Sequence, residues 1–156
     1  IGVMSDSKNQ EPLKVIESQL MTHGVYATNT SGISMRPLFR THRDVVILEK
    51  PKGELKKYDV VLYRVSDVKY VLHRIIEVKE DEYIIRGDNT FIKEHVPKDM
   101  ILGVMTAFNR KGKKYTVSDR GYKIYSRFWN YIYPVRRLFY GIRRLLGKMY
   151  RKVFKK

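Results

Sequence analysis

The apolar positions change period along this chain, and each change marks an element. From Glu11 to Thr22, Leu13, Ile16, Leu20 and Met21 recur at helical spacing, and Gly24 is a natural stop. Lys14 and Glu17 give that short helix a charged face, so it lies on something rather than through a membrane. After Thr30-Ser31-Gly32 the period shortens. Asp44–Leu48, Val60–Tyr63, Tyr70–Val78, Tyr83–Arg86 and Ile101–Phe108 are β-branched or aromatic runs of strand length, with Lys114–Val117 a weaker candidate. Pro51-Lys52-Gly53, Lys79-Glu80-Asp81-Glu82 and Lys111-Gly112-Lys113 punctuate them as turns. Such short connections favour antiparallel pairing, because parallel strands need a crossover of a dozen or more residues. The expected fold is mainly β, an antiparallel body behind a short N-terminal helix.

The helical period returns at Gly121. Tyr125, Phe128, Trp129 and Ile132 fit one face, and Pro134 breaks or restarts the helix. Beyond it Val135, Leu138, Phe139, Ile142, Leu145, Leu146, Met149 and Val153 keep the i, i+3, i+4, i+7 spacing. The pairs Arg136-Arg137, Arg143-Arg144 and Arg151-Lys152 fill the other face. C-terminal amphipathic, cationic helices are expected.

Charge sharpens that division. The 156 residues carry 32 Lys and Arg against 16 Asp and Glu, a formal charge of +16. From Arg120 to Lys156 there are 12 basic residues and no acid, so the remainder holds a net charge of only +4. The expected organisation is a β-rich domain over residues 11–119 and a cationic helical tail over 120–156. A chain of this length supports one core, as in domains of roughly 100–200 residues. With no cysteine, a disulfide scaffold and every Cys-containing zinc site are excluded. His23, His42 and His95 share no ligand-like spacing, so no metal and no cofactor is expected.

Chemistry concentrates in three short stretches: Gly32-Ile33-Ser34-Met35-Arg36-Pro37, His73-Arg74-Ile75-Ile76, and Gly87-Asp88-Asn89 with Glu94 a few residues on. One serine, one histidine and two acids at strand ends can converge in a β body. A serine hydroxyl is inert until an adjacent base takes its proton, and that base must itself be oriented. Gly32 before Ser34 permits a tight, exposed backbone whose N–H groups could stabilise an oxyanion. Gly32, Ser34 and Met35 are the candidate oxyanion and substrate-binding residues.

Taken together and in this order, the segments resemble the signal peptidase I superfamily, serine peptidases that share a β fold with LexA-type self-cleaving repressors. The resemblance runs from about Gly24 to Phe108. It implies that Ser34 attacks a peptide carbonyl and that His73 is the general base, as in the histidine branch of endoplasmic-reticulum and archaeal enzymes. A histidine base suits neutral pH without the strong burial a lysine base requires. The resemblance also implies an acid, with Asp88 favoured over Glu94 to orient His73. Signal peptidases normally carry a transmembrane helix just before the serine segment, and residues 1–33 hold none. No apolar run approaches the roughly 18–20 residues of a spanning helix.

The expected function is therefore a serine endopeptidase acting on an extended peptide or precursor protein near the membrane surface. A non-catalytic peptide-binding or membrane-targeting module on the same fold is the alternative. LexA-type self-cleavage is weakened by the histidine base and the lack of an N-terminal DNA-binding domain. The tail is expected to hold the protein on the inner face of the cell membrane, peripherally and in the cytoplasm. Trp129, Arg136, Arg137, Arg143, Arg144, Lys148, Arg151 and Lys152 would be its contacts with anionic lipid. Packing of the tail's apolar stripe on the β body is the alternative, and nucleic acid is a less favoured partner, because no nucleic-acid-binding signature accompanies the charge.

Overall fold

Val60, Val61, Leu62 and Tyr63 are all buried, and their side chains divide between two cores. Val60 and Leu62 enter one, Val61 and Tyr63 the other. A strand covered on both faces reads as a continuous apolar run, which is why this stretch lacks polar alternation. In the computed structural model, which describes residues 10–66 and 69–154, it belongs to β3 (Val60–Ser66). The preceding elements are α1 (Gln10–His23), β1 (Val25–Asn29) and β2 (Val45–Glu49). After it come β4 (Lys69–Val78), β5 (Glu82–Arg86), β6 (Glu94–Pro97), β7 (Ile101–Arg110) and β8 (Lys113–Thr116). Two helices close the chain, α2 (Arg120–Tyr131) and α3 (Tyr133–Phe154).

The strands form one sheet in the order β1-β2-β7-β3-β4-β5-β6, with β8 on β7, and every pairing is antiparallel. The fold is thus mainly antiparallel β with a short N-terminal helix and two C-terminal helices. β1 and β6 are additions to the strands read from sequence. Both lie at sheet edges, where half-exposed side chains and a terminal Pro97 blur the strand pattern.

The first core joins Ile16 and Leu20 of α1 to Val46, Leu48, Met105 and Phe108. Phe39 meets Phe108 edge to face, with ring centroids 5.3 Å apart. Met21, although on the helical repeat, points outward with 75% of its surface exposed. Leu13 lies outside the residues whose side chains are described. The second core gathers Leu55, Ile75, Tyr83, Ile85 and Val96 around Val61 and Tyr63.

Tyr122 is a member of the first core, so the expected boundary at residue 120 cuts through packed contacts. α2 belongs to the body because its small and hydroxylated residues face inward. Tyr122 and Ser126 are buried, whereas Phe128, on the same helical face as Tyr125 and Trp129 in the sequence pattern, is 57% exposed. The chain turns at Ile132, and Pro134 falls in the first turn of α3, where its missing N–H is not needed. Beyond Tyr140, whose ring lies 4.9 Å from that of Phe91, α3 leaves the body. Val135, Leu138, Phe139, Ile142, Leu145, Leu146 and Met149 are all exposed, Phe139 at 71%.

Candidate active site

Ser34 sits in a loop between β1 and β2 that is closed at its base. Thr30 and Asp44 are joined by a backbone hydrogen bond of 2.9 Å, and His42 N donates to Thr30 O at 2.9 Å. Inside the loop, Thr41 Oγ1 donates to the carbonyl of Gly32 at 2.6 Å, and Gly32 adopts φ +81°. That backbone conformation favours glycine. Asp44 is fully buried and binds Arg43 Nε at 2.7 Å and Arg40 N at 2.8 Å. Burial opposes its ionisation, but these donors and Lys111 N outweigh it and hold the carboxyl below its usual range.

His73 lies on β4 opposite Val61 of β3 and is 6% exposed. Its Nδ1 is 3.1 Å from Glu94 Oε1 and 3.2 Å from Tyr63 Oη. Tyr63 in turn donates a short hydrogen bond to Glu94 Oε2. Burial, reinforced by Glu94, pushes the Tyr63 phenol well above its ordinary value, so it remains a donor. For Glu94, burial works against the charge, while the hydrogen bonds from His73 and Tyr63 prevail and keep its pKa below the usual carboxylate value. The Tyr63 proton is therefore committed to Glu94. Both atoms facing Nδ1 can then accept, which assigns the neutral imidazole proton to Nδ1 and leaves a lone pair on Nε2.

Nε2 faces the Gly87 backbone. A Cβ on Gly87 would stand 2.9 Å from His73 Nε2 and 2.7 Å from the carbonyl oxygen of Ser34, so no side chain fits. Asn89 secures the serine loop from the same side, N to Ser34 O at 2.7 Å and Nδ2 to Ile33 O at 3.2 Å. The Gly-Asp-Asn segment thus stitches the serine loop to the histidine strand. Ser34 is 7% exposed, and among the described residues its hydroxyl has no hydrogen-bond partner. Ser34 Oγ and His73 form no hydrogen bond with one another. Gly32, Ser34 and Met35 line a common cleft of about 50 Å³ with Phe39, Leu48 and Leu62, room for a small apolar group.

Asp88 does not orient His73. Successive residues of a strand point to opposite faces, so Arg74 projects away from His73, and Asp88 follows Arg74. The pair is bidentate, Nε to Oδ1 at 2.7 Å and Nη2 to Oδ2 at 2.8 Å, with Arg74 0% exposed. Burial opposes the guanidinium charge, but Asp88 more than compensates and raises its pKa further. Tyr125 Oη also donates to Asp88 Oδ2 at 2.9 Å, while Arg74 Nη1 reaches Tyr58 O and Tyr122 Oη. The acid that reaches the imidazole is Glu94.

Two residues expected at a lipid surface are here instead. Trp129 Nε1 and Arg136 Nη2 donate to the main-chain oxygen of Asp88 at 2.8 and 2.7 Å, and the guanidinium stacks 3.8 Å over the indole. A carbonyl presented by the Asp88 loop captures them, so neither is free for lipid. Tyr133 Oη donates to Phe91 O at 3.2 Å, tying the same loop to the root of α3. Arg137, Arg143, Arg144, Lys148 and Arg151 remain exposed, and Lys152 lies outside the described side chains. Sequence reading missed Tyr63, Arg74, Tyr125 and the clamp by Trp129 and Arg136. A buried tyrosine or arginine always needs a polar partner, but nothing local names it.

Among the described residues no group of three His, Asp or Glu side chains is placed to hold a metal ion, and no helix is long and apolar enough to cross a membrane. A scan of the chain against protein-family models finds no match, and a search of curated proteins finds none either.

Proposed function

We propose that the chain is a serine endopeptidase in which Ser34 is the nucleophile, His73 the general base and Glu94 the acid that orients it. The observation that carries this reading is the imidazole itself. Its Nδ1 is held by Glu94 and Tyr63, and its free Nε2 is turned toward the backbone bridge that carries Ser34. Ser34 Oγ attacks the peptide carbonyl as its proton passes to Nε2, and Glu94 stabilises the imidazolium that forms. The backbone N–H groups of Ser34 and Met35 donate to no protein group among the described residues and are available to the oxyanion. His73 then delivers the proton to the leaving amine, and a water repeats the cycle on the acyl-enzyme. The Ser34–His73 hydrogen bond, open here, is of the kind that tightens when substrate binds.

That same open bond favours a second reading, a peptide-binding module that does not cleave. Incubation with extended precursor peptides separates the two. Cleavage by the wild-type protein that Ser34→Ala and His73→Ala abolish supports the peptidase. Binding without cleavage, unchanged in both variants, supports the module.

The enzyme is proposed to work peripherally at the cytoplasmic leaflet, with α3 in the membrane plane. Its exposed apolar residues run beside Arg137, Arg143, Arg144, Lys148 and Arg151, a pairing of faces that suits an anionic bilayer. Sedimentation with vesicles containing phosphatidylglycerol, but not with phosphatidylcholine alone, tests it.

A further inference from the structure

Arg36, Arg40 and Arg110 line a cleft of about 360 Å³ together with Pro37, and no acidic residue lines it. None of the three guanidinium groups forms an ion pair with a carboxylate among the described residues. The acid on the same loop, Asp44, is already committed to Arg43 and to the backbone N–H groups of Arg40 and Lys111. Arg110 is fixed by its Nη2, which donates to Pro37 O at 3.3 Å, whereas its Nε is buried and has no hydrogen-bond partner. A buried N–H of a charged group costs stability until an acceptor meets it. Three like charges around one cleft repel until an anion neutralises them, and the planar guanidinium fork matches an oxyanion with two parallel hydrogen bonds.

Position names the anion. Arg36 N donates to Ile33 O at 3.2 Å, so Arg36 and Ser34 share one turn. Two residues of chain separate their Cα atoms by about 7 Å at most. An extended peptide advances about 3.3 Å per residue. A substrate lying across Ser34 would then have residues a few positions from its scissile bond within side-chain reach of the cleft. We propose that Arg36, Arg40 and Arg110 form an oxyanion-binding subsite that takes the carboxylate of an acidic side chain in the peptide on which Ser34 acts. The proposal rests on the peptidase reading for the identity of the peptide, and on the cleft alone for its anion chemistry.

The test walks one Glu, and separately one Gln, along a fluorescent twelve-residue peptide of Ala and Val. Binding is read by anisotropy with the full Ser34→Ala chain, and cleavage with the wild type. Glu is expected to bind about tenfold tighter than Gln within one window of positions. Arg36→Gln, Arg40→Gln and Arg110→Gln should each reduce that preference, with Arg110→Lys, which keeps the charge but loses the fork, intermediate. In cleavage, the same substitutions should raise KM and leave kcat. Lys56→Gln with Lys57→Gln, exposed just before β3, removes comparable charge and should leave the window intact. A preference spread evenly along the peptide, one unmoved by the cleft variants, or no Glu-dependent binding at all overturns the subsite. A window lost in the cleft variants without any wild-type cleavage sustains the subsite and sinks the peptidase reading.

Discussion

Glu94 and Asp88 differ in what they hold, so neutralising each should damage the protein in a different way. Glu94→Gln removes a carboxylate 3.1 Å from His73 Nδ1 that is one-third exposed. At that separation two unit charges interact by about 5 kcal/mol at an effective dielectric constant of 20, and by about 1.3 kcal/mol in water. Solvent at Glu94 places the loss of imidazolium stabilisation at about 1.5–3 kcal/mol, or about 10- to 150-fold in kcat. The fold should survive, because Tyr63 and His73 can still hydrogen-bond the amide. Asp88→Asn instead strands Arg74 in the interior with its charge uncompensated, a cost of about 3–5 kcal/mol. For a chain of this size that lowers Tm by about 6–20 °C. The assay is peptide turnover beside calorimetric melting for each variant. An active Glu94→Gln, paired with an Asp88→Asn that melts like wild type yet turns nothing over, would refute the assignment of the two acids.

Gly87→Ala should abolish turnover and weaken the fold, since its methyl would stand 2.7 Å from Ser34 O and 2.9 Å from His73 Nε2; full activity would show that the serine loop lies elsewhere. Ile142→Glu with Leu145→Glu, on the exposed distal turns of α3, should eliminate sedimentation with anionic vesicles and leave Tm within about 1–2 °C, whereas a large fall in Tm would mean that the face is packed. Asp44 has its pKa held below its ordinary value of 3.8 in the fold, so the unfolded chain binds its proton more readily. Its contribution is present above that value and is lost as pH falls through the lower folded one. Urea melts should therefore separate wild type from Asp44→Asn at pH 6 and narrow that gap as pH falls below 3.8, and a constant gap would contradict the pairing.

What could be read from the residues follows the range of the forces involved. Strand runs and helical stripes are set by neighbours a few residues apart, so β2 to β5, β7 and the helices are visible in local spacing. The serine, histidine and Gly-Asp-Asn segments were likewise readable as motifs, and they do meet. Which acid faces His73 was not. It depends on Arg74, one residue along β4 and on the opposite face, which draws Asp88 away and leaves Glu94, at the start of an edge strand, to close on the ring. Strand alternation shows that residues 73 and 74 diverge, but not which carboxylate follows which.

The tail makes the same point about surfaces. An apolar stripe with basic residues beside it satisfies a bilayer and a protein groove equally, because both ask only for burial and a charged border. Trp129 and Arg136 sit on that stripe and its border, yet the carbonyl of Asp88 claims both. A lipid interior offers no such acceptor in a fixed place, so a directed hydrogen bond separates the two kinds of burial where hydrophobicity does not. Applied to α3, the criterion divides the helix. Its root is bound through Tyr133, Arg136 and Tyr140, whose ring lies 4.9 Å from that of Phe91. Beyond Tyr140, Ile142, Leu145, Leu146 and Met149 are exposed. The membrane proposal therefore belongs to the distal turns alone, and a truncation meant to test it must begin after Tyr140, since removal from residue 122 would strip Tyr122 from the core and Trp129 from the Asp88 loop.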